Sequence, residues 1–200
     1  MRELIFICFL FITPSLLYSQ IDSTHFVTTW DTRIPASTPS TSSDSLSILI
    51  GEEFLSLALQ LNNKTALKTY YGTMISDYFF GDEDLFVCRI DEGTDYFKST
   101  NDTIGIINTM LWKAHYATEV TLNYTMSREL LEVAKKLSIA INYFDGELQV
   151  YDFMLPLLLN TRDFEEMEIF ANKLLQLGFH DEYYRAMGYY HKAISFFIQE

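Results

Sequence analysis

The chain has 200 residues, with 14 Lys and Arg against 27 Asp and Glu, a formal net charge of −13, 48% apolar residues and 16% aromatic ones. That apolar content excludes a disordered polar chain, and two cysteines exclude a disulfide-dense scaffold. The acidic balance argues against nucleic acid as a partner, because holding phosphate backbones takes clustered Lys and Arg.

Met1 to Ser19 reads as an export signal. Arg2 supplies the positive start, the apolar run spans Leu4 to Ile12, Pro14 breaks it, and Leu17-Tyr18-Ser19 offers a cleavage site. The 15 residues from Leu4 to Tyr18 are too few for about 30 Å of hydrocarbon, which takes roughly 20 residues. No stable membrane span is therefore expected once the signal is cut after Ser19, and the destination is a periplasm or the extracellular space. No cysteine follows the run where a lipid anchor would need one. Cleavage removes Arg2, Glu3 and Cys8, so 13 bases and 26 acids remain, still −13 over 181 residues. Cys88 is then alone and has no partner for an intrachain disulfide. Its setting in LFVCRI, between apolar residues at helical spacing, predicts a buried, inert thiol.

Residues 20–42 form a linker by composition, because IPASTPSTSSDS holds two prolines and seven Ser or Thr. Within it HFVTTW (25–30) alternates apolar and polar residues and predicts a short strand. The opening HFVTTWDT resembles a short sequence near the mature start of some bacterial secreted surface proteins.

From residue 43 to 200 the period changes to 3.6. Ser43-Asp44 makes an N-cap before a helix whose Leu46, Ile50, Phe54, Leu57 and Leu61 share one face. Seven more helices are predicted at Thr65–Phe80, Asp82–Phe97, Thr103–Asn123, Ser127–Ala140, Glu147–Asn160, Asp163–Gly178 and Asp181–Ile198. Short polar breaks separate them, so the fold class is all-α with consecutive helices antiparallel. Pro156 cannot donate to the carbonyl of Asp152 and predicts a kink.

The helices carry traces of a repeat. Placing Leu122-Asn123 on Leu159-Asn160, a shift of 37, sets Leu130, Ala134 and Leu137 on Met167, Ala171 and Leu174. A shift of 33 sets Tyr151, Met154 and Leu155 on Tyr184, Met187 and Gly188. With Leu158 and Phe164 in one pair, His191 and Ala193 in the next, and Gly72 in the first, these positions resemble the tetratricopeptide repeat family over about Asn62 to Glu200. The resemblance implies helix pairs stacked as a short α-solenoid. It further implies a concave groove lined by the first helix of each pair: Trp112, His115 and Glu119, then Gln149 and Asp152, then Glu182, Arg185, Tyr189 and Lys192. Leu155, Met167 and Leu174 depart from that family's preference for smaller residues.

No catalytic motif appears. The histidines His25, His115, His180 and His191 lie in no HxxxH or HExxH spacing, and no CxxC is present, so no metal site and no cofactor is expected. His191 falls at a core-facing position and reads as a hydrogen-bonded buried histidine. Neither a phosphate-binding glycine loop nor a nucleophile elbow occurs. The acidic groups Asp82-Glu83-Asp84 and Glu165-Glu166 sit where helices begin, where carboxylates favour the helix dipole. Asn63, Asn101 and Asn123 open glycosylation sequons that fall at turns. The functional expectation is an exported, non-catalytic scaffold that binds a protein or peptide, the acidic charge suiting a basic one. Two alternatives stay open: the extracytoplasmic sensory segment of a regulator or histidine kinase, and a helical hydrolase or lyase built on acidic pairs.

Overall fold

A computed structural model of the chain describes residues 44–73, 78–79 and 82–199. The expected signal, linker and strand at 25–30, and the Ser43 cap, lie outside those residues. The described residues hold eight helices and no strand: α1 (Asp44–Gln60), α2 (Lys64–Thr73), α3 (Glu83–Ser99), α4 (Thr103–Glu119), α5 (Tyr124–Ala140), α6 (Phe144–Thr161), α7 (Phe164–Leu177) and α8 (Glu182–Gln199). The protein is all-α in its described part. Every predicted helix is present, with shifted ends. Tyr78 and Phe79 are no longer α-helical, and Asn123 caps the following helix instead of ending α4.

The chain divides into two compact units at Leu67 and Lys68, inside the stretch 43–200 that reads as one body in the sequence. The first unit contains α1 and the start of α2, and it buries Phe54, Leu55, Ala58, Ala66 and Leu67. In the second, α3 through α8 each pack on the next helix in the chain, and connections of two to four residues force the chain to reverse between them. Helix α4 also touches α6, and α6 touches α8. The shared core includes Ile107, Leu111, Leu131, Leu148, Met154, Leu157, Met167 and Leu174.

One turn recurs at the helix junctions. The last residues of a helix are followed by one in the left-handed region, namely Asn62, Asn101, Leu122, Asn142 or Arg162. The next residue donates its N–H five residues back at Asn63, Asp102, Tyr143 and Asp163, closing the outgoing helix. The same residue begins the incoming helix. Side chains of Asn63, Asp102, Asn123 and Asp163 each accept the N–H three residues on, as Asp82 does at α3 and Asp181 at α8. Tyr143 occupies the cap position of α6 without a side-chain bond. Two of the three sequon asparagines thus serve as caps, and Asn101 serves as the left-handed residue.

Those caps define the internal register. Counted from Asp82, Asn123 and Asp163, the fourth, eighth, eleventh and fifteenth residues are buried every time: Phe86, Ile90, Gly93 and Phe97; Ser127, Leu131, Ala134 and Ser138; Met167, Ala171, Leu174 and Gly178. Counted from Asp102 and Tyr143, the third, fifth, seventh, ninth, twelfth and fifteenth are buried in both α4 and α6. They are Gly105, Ile107, Thr109, Leu111, Ala114 and Ala117, then Gly146, Leu148, Val150, Asp152, Leu155 and Leu158. Burial therefore recurs at 40 to 41 residues, and the shift of 37 is not the structural one. Leu122 has φ 53° in a turn, whereas Leu159 is still inside α6, so the two Leu-Asn pairs are not equivalent.

Close packing explains why residue types hide this register. A Cβ on Gly105 would overlap the Phe97 ring, and one on Gly146 would overlap Tyr143 and Ser138. At the last junction the pattern is exchanged: Gly178 ends α7, where a Cβ would lie 2.6 Å from the Cβ of Tyr184 and 2.8 Å from the Leu174 carbonyl oxygen. Its φ of −80° is ordinary, so glycine is needed there for close approach and not for backbone freedom.

Candidate functional site

The groove candidates fall into separate groups. Trp112 and His115, one turn apart on α4, join Phe153 of α6 and Phe79, which precedes α3. His115 lies flat between two phenyl rings, 4.7 Å from Phe79 and 4.9 Å from Phe153, with interplanar angles of 20° and 18°. Trp112 meets Phe153 edge-on at 5.7 Å and Phe79 at 6.2 Å. All four side chains are half-buried. Burial pushes the His115 pKa down, so the ring is neutral at pH 7 and stacks as an aromatic plane. Nearby Tyr116 donates to Glu83 at 2.5 Å, and that carboxylate raises the phenol pKa to about 12.

Asp152 belongs to a different arrangement. It is 6% exposed, and its Oδ2 accepts from the Tyr183 hydroxyl of α8 at 3.0 Å, while Oδ1 is buried without a hydrogen-bond partner. Burial raises its pKa, and the Tyr183 bond only partly offsets this. Tyr183 and Tyr184 are pushed up by burial first and by Asp152 second, Tyr184 to about 12. Asp152 thus joins α6 to α8 and is not a surface contact, a correction to its expected place in the groove. Pro156, inside α6, leaves the Asp152 carbonyl without its helical donor.

The remaining candidates stand apart. Glu119 ends α4 and is exposed, Gln149 is half-buried on α6, Glu182 is exposed at the start of α8, and Arg185 is half-buried. Lys192 donates to Asn172 of α7 at 2.8 Å, which turns it toward that helix. Tyr189 is 64% exposed. Of the nine, only Trp112 and His115 pack into one cluster of rings.

Phe79, Phe153 and Tyr183 escaped sequence reasoning. Phe153 had a findable signal: it is the tenth residue after Tyr143, as Trp112 is the tenth after Asp102, but the 37-residue shift conceals the match. Phe79 sits in a turn at the end of the stretch expected as one helix over Thr65–Phe80, so a helical face assigned from the period misplaces it.

Three other expectations resolve here. Cys88 is exposed, contrary to the buried thiol expected, and its Sγ donates to Glu92 Oε1 at 3.7 Å. Phe86 and Ile90 take the inward face of α3, which turns the intervening Val87 and Cys88 outward. His191 is buried as expected, yet neither ring nitrogen has a hydrogen-bond partner, and burial lowers its pKa. The acidic groups do open helices: Asp82 caps α3 ahead of Glu83 and Asp84, and Glu166 in the first turn of α7 pairs with Arg128 of α5 at 2.7 Å.

Among the described residues no three His, Cys, Asp or Glu gather where they could hold a metal ion. Among the same residues no helix is long and apolar enough to cross a membrane. No family model, no curated protein and no solved structure matches the chain.

Proposed function

We propose that the chain is an exported helical-repeat scaffold of the tetratricopeptide type that binds a protein or peptide and performs no catalysis. Its helix pairs repeat as a short solenoid, with 41 residues from Asp102 to Tyr143 and 38 from Tyr143 to Asp181 against the roughly 34 usual for that family. The single observation that carries the reading is the half-exposed aromatic shelf of Trp112, His115 and Phe153, shared by α4 and α6, two of the helices that contact each other in the alternate row. Flat, preordered aromatic rings bind a partner at little entropic cost, and Trp, Tyr and Arg are the usual energetic anchors of interfaces. Arg185 and Tyr189 stand apart from that shelf, on α8 of the same alternate set of helices, and would be a second pair of anchors. The charge of −13 suits a partner with a basic surface.

Arg185→Ala and Tyr189→Ala, made separately in the full chain and used as bait on the exported fraction of the producing cell, test this reading. Each is expected to weaken capture of the partner by about tenfold or more, the effect of losing 1.4 kcal/mol at an anchor, with the melting temperature unchanged. A fall in melting temperature would make these residues structural, and unchanged capture would remove α8 from the binding row.

A further inference from the structure

The outward strip that carries the aromatic shelf continues beyond it in both directions. Counted from the caps Asp102 and Tyr143, the sixth, tenth and thirteenth residues are half-buried in both helices. They are Asn108, Trp112 and His115 on α4, and Gln149, Phe153 and Pro156 on α6. Trp112 meets Phe153 and His115 stacks on it, so the two helices lie side by side, in step to within one turn. One turn before the rings stand two carboxamides. The Asn108 oxygen accepts from the Tyr143 hydroxyl at 3.5 Å and its amide protons are free, while Gln149 has no hydrogen-bond partner among the described residues. A carboxamide offers both a donor and an acceptor, the complement of a peptide unit.

Both ends of the strip are acidic. Glu119 lies one turn past His115 on the same face of α4, and Asp145 one turn before Gln149 on α6. Each is exposed and forms no ion pair among the described residues. The single Lys or Arg of the two helices, Lys113, is held by Asp91 of α3 at 2.7 Å, so no base of α4 or α6 neutralises either end. Asp145 is the second residue after its cap and Glu119 the seventeenth after its own, fifteen positions apart, or roughly 20 Å at 1.5 Å per residue. An extended peptide rises about 3.3 Å per residue, so about six residues cover that length. Given the scaffold reading above, we infer that this strip holds an extended peptide with two basic residues six apart and an aromatic residue midway between them. The aromatic side chain packs on Trp112 and Phe153, the carboxamides of Asn108 and Gln149 bond the peptide backbone, and Glu119 and Asp145 pair with the two bases.

Fluorescence anisotropy of labelled Lys-Ser-Gly-Phe-Gly-Ser-Lys, blocked at both ends and titrated with the full chain at low salt, tests this. The probe is expected to bind at least tenfold more tightly than its counterpart Glu-Ser-Gly-Phe-Gly-Ser-Glu. Glu119→Lys and Asp145→Lys are each expected to weaken the basic probe by about tenfold with an unchanged melting curve, because an attraction becomes a repulsion. The double variant is expected to reverse the preference and bind the acidic probe more tightly. Equal affinity for the two probes, no binding of the basic probe at about 1 mM, or a preference that survives in the folded double variant would each overturn the inference. Capture of a protein partner that the double variant leaves unchanged would overturn it too, while the scaffold reading stands.

Discussion

The junction between α3 and α4 and the junction between α7 and α8 solve one packing problem with opposite residues. At the first, an aromatic (Phe97) closes the outgoing helix and a glycine (Gly105) opens the incoming one. At the last, a glycine (Gly178) closes α7 and an aromatic (Tyr184) opens α8. The positions are equivalent, fifteen residues after Asp82 and Asp163 and three after Asp102 and Asp181. What these two junctions share is the volume of the pair and not the identity of either member, as expected where interiors pack at crystal-like density; at the equivalent junction between α5 and α6 the pair is Ser138 and Gly146, and the Tyr143 ring fills the place instead.

The largest effect expected at these junctions comes from emptying one. Phe97 is fully buried, and Phe97→Ala should cost about 3–5 kcal/mol in urea unfolding. Filling a junction comes next. Gly178→Ala should cost about 2 kcal/mol despite the better helix propensity of alanine, because its Cβ meets backbone and another Cβ. A neutral or stabilising result would mean that the last junction is looser than the first.

Asp152 sharpens a second contrast, at the ninth position after the cap, where α4 has buried Leu111 and α6 has a buried carboxyl. Its pKa is raised by burial, so between about 3.9, the unfolded value, and the higher folded value the native state holds the extra proton. This contribution is present below that window and is lost as pH rises through it. Asp152→Asn should therefore raise stability by about 1 kcal/mol at pH 7, with the gain vanishing below about pH 4. His115 and His191 act oppositely. Lowered folded pKa values for His115 and His191 mean that the unfolded chain protonates first, so stability is lost as pH falls below about 6.5. Thermal melts from pH 4 to 8 separate the two.

The smallest effect belongs to the turns. Asn62, Asn101 and Asn142 suit the left-handed region, whereas Leu122 at φ 53° does not. Leu122→Gly should stabilise by up to about 1 kcal/mol, and Asn142→Gly by less. Equal gains would show that the five turns are not alike in strain.

Helix order and most helix ends among the described residues are legible in the sequence, because Asp and Asn at caps and a 3.6 period are local signals. The register between pairs was not. It depends on volumes shared between residues of successive helices, such as Phe97 with Gly105 or Gly178 with Tyr184, so matching residue types gives a shift of 37 where burial recurs at 40 to 41. The candidate site shows the same limit: the repeat positions point to Trp112 and His115 but not to Phe153, and they put Asp152 in a groove although it lies buried and bonded to Tyr183.

The most direct test is an exchange at the last junction. Gly178→Phe and Tyr184→Gly, singly and together, convert it to the arrangement of Phe97 and Gly105. Conserved pair volume predicts that each single change destabilises by about 2 kcal/mol or more, and that the double variant recovers at least about 1 kcal/mol of their sum. A double variant that loses the full sum of the two would contradict the account.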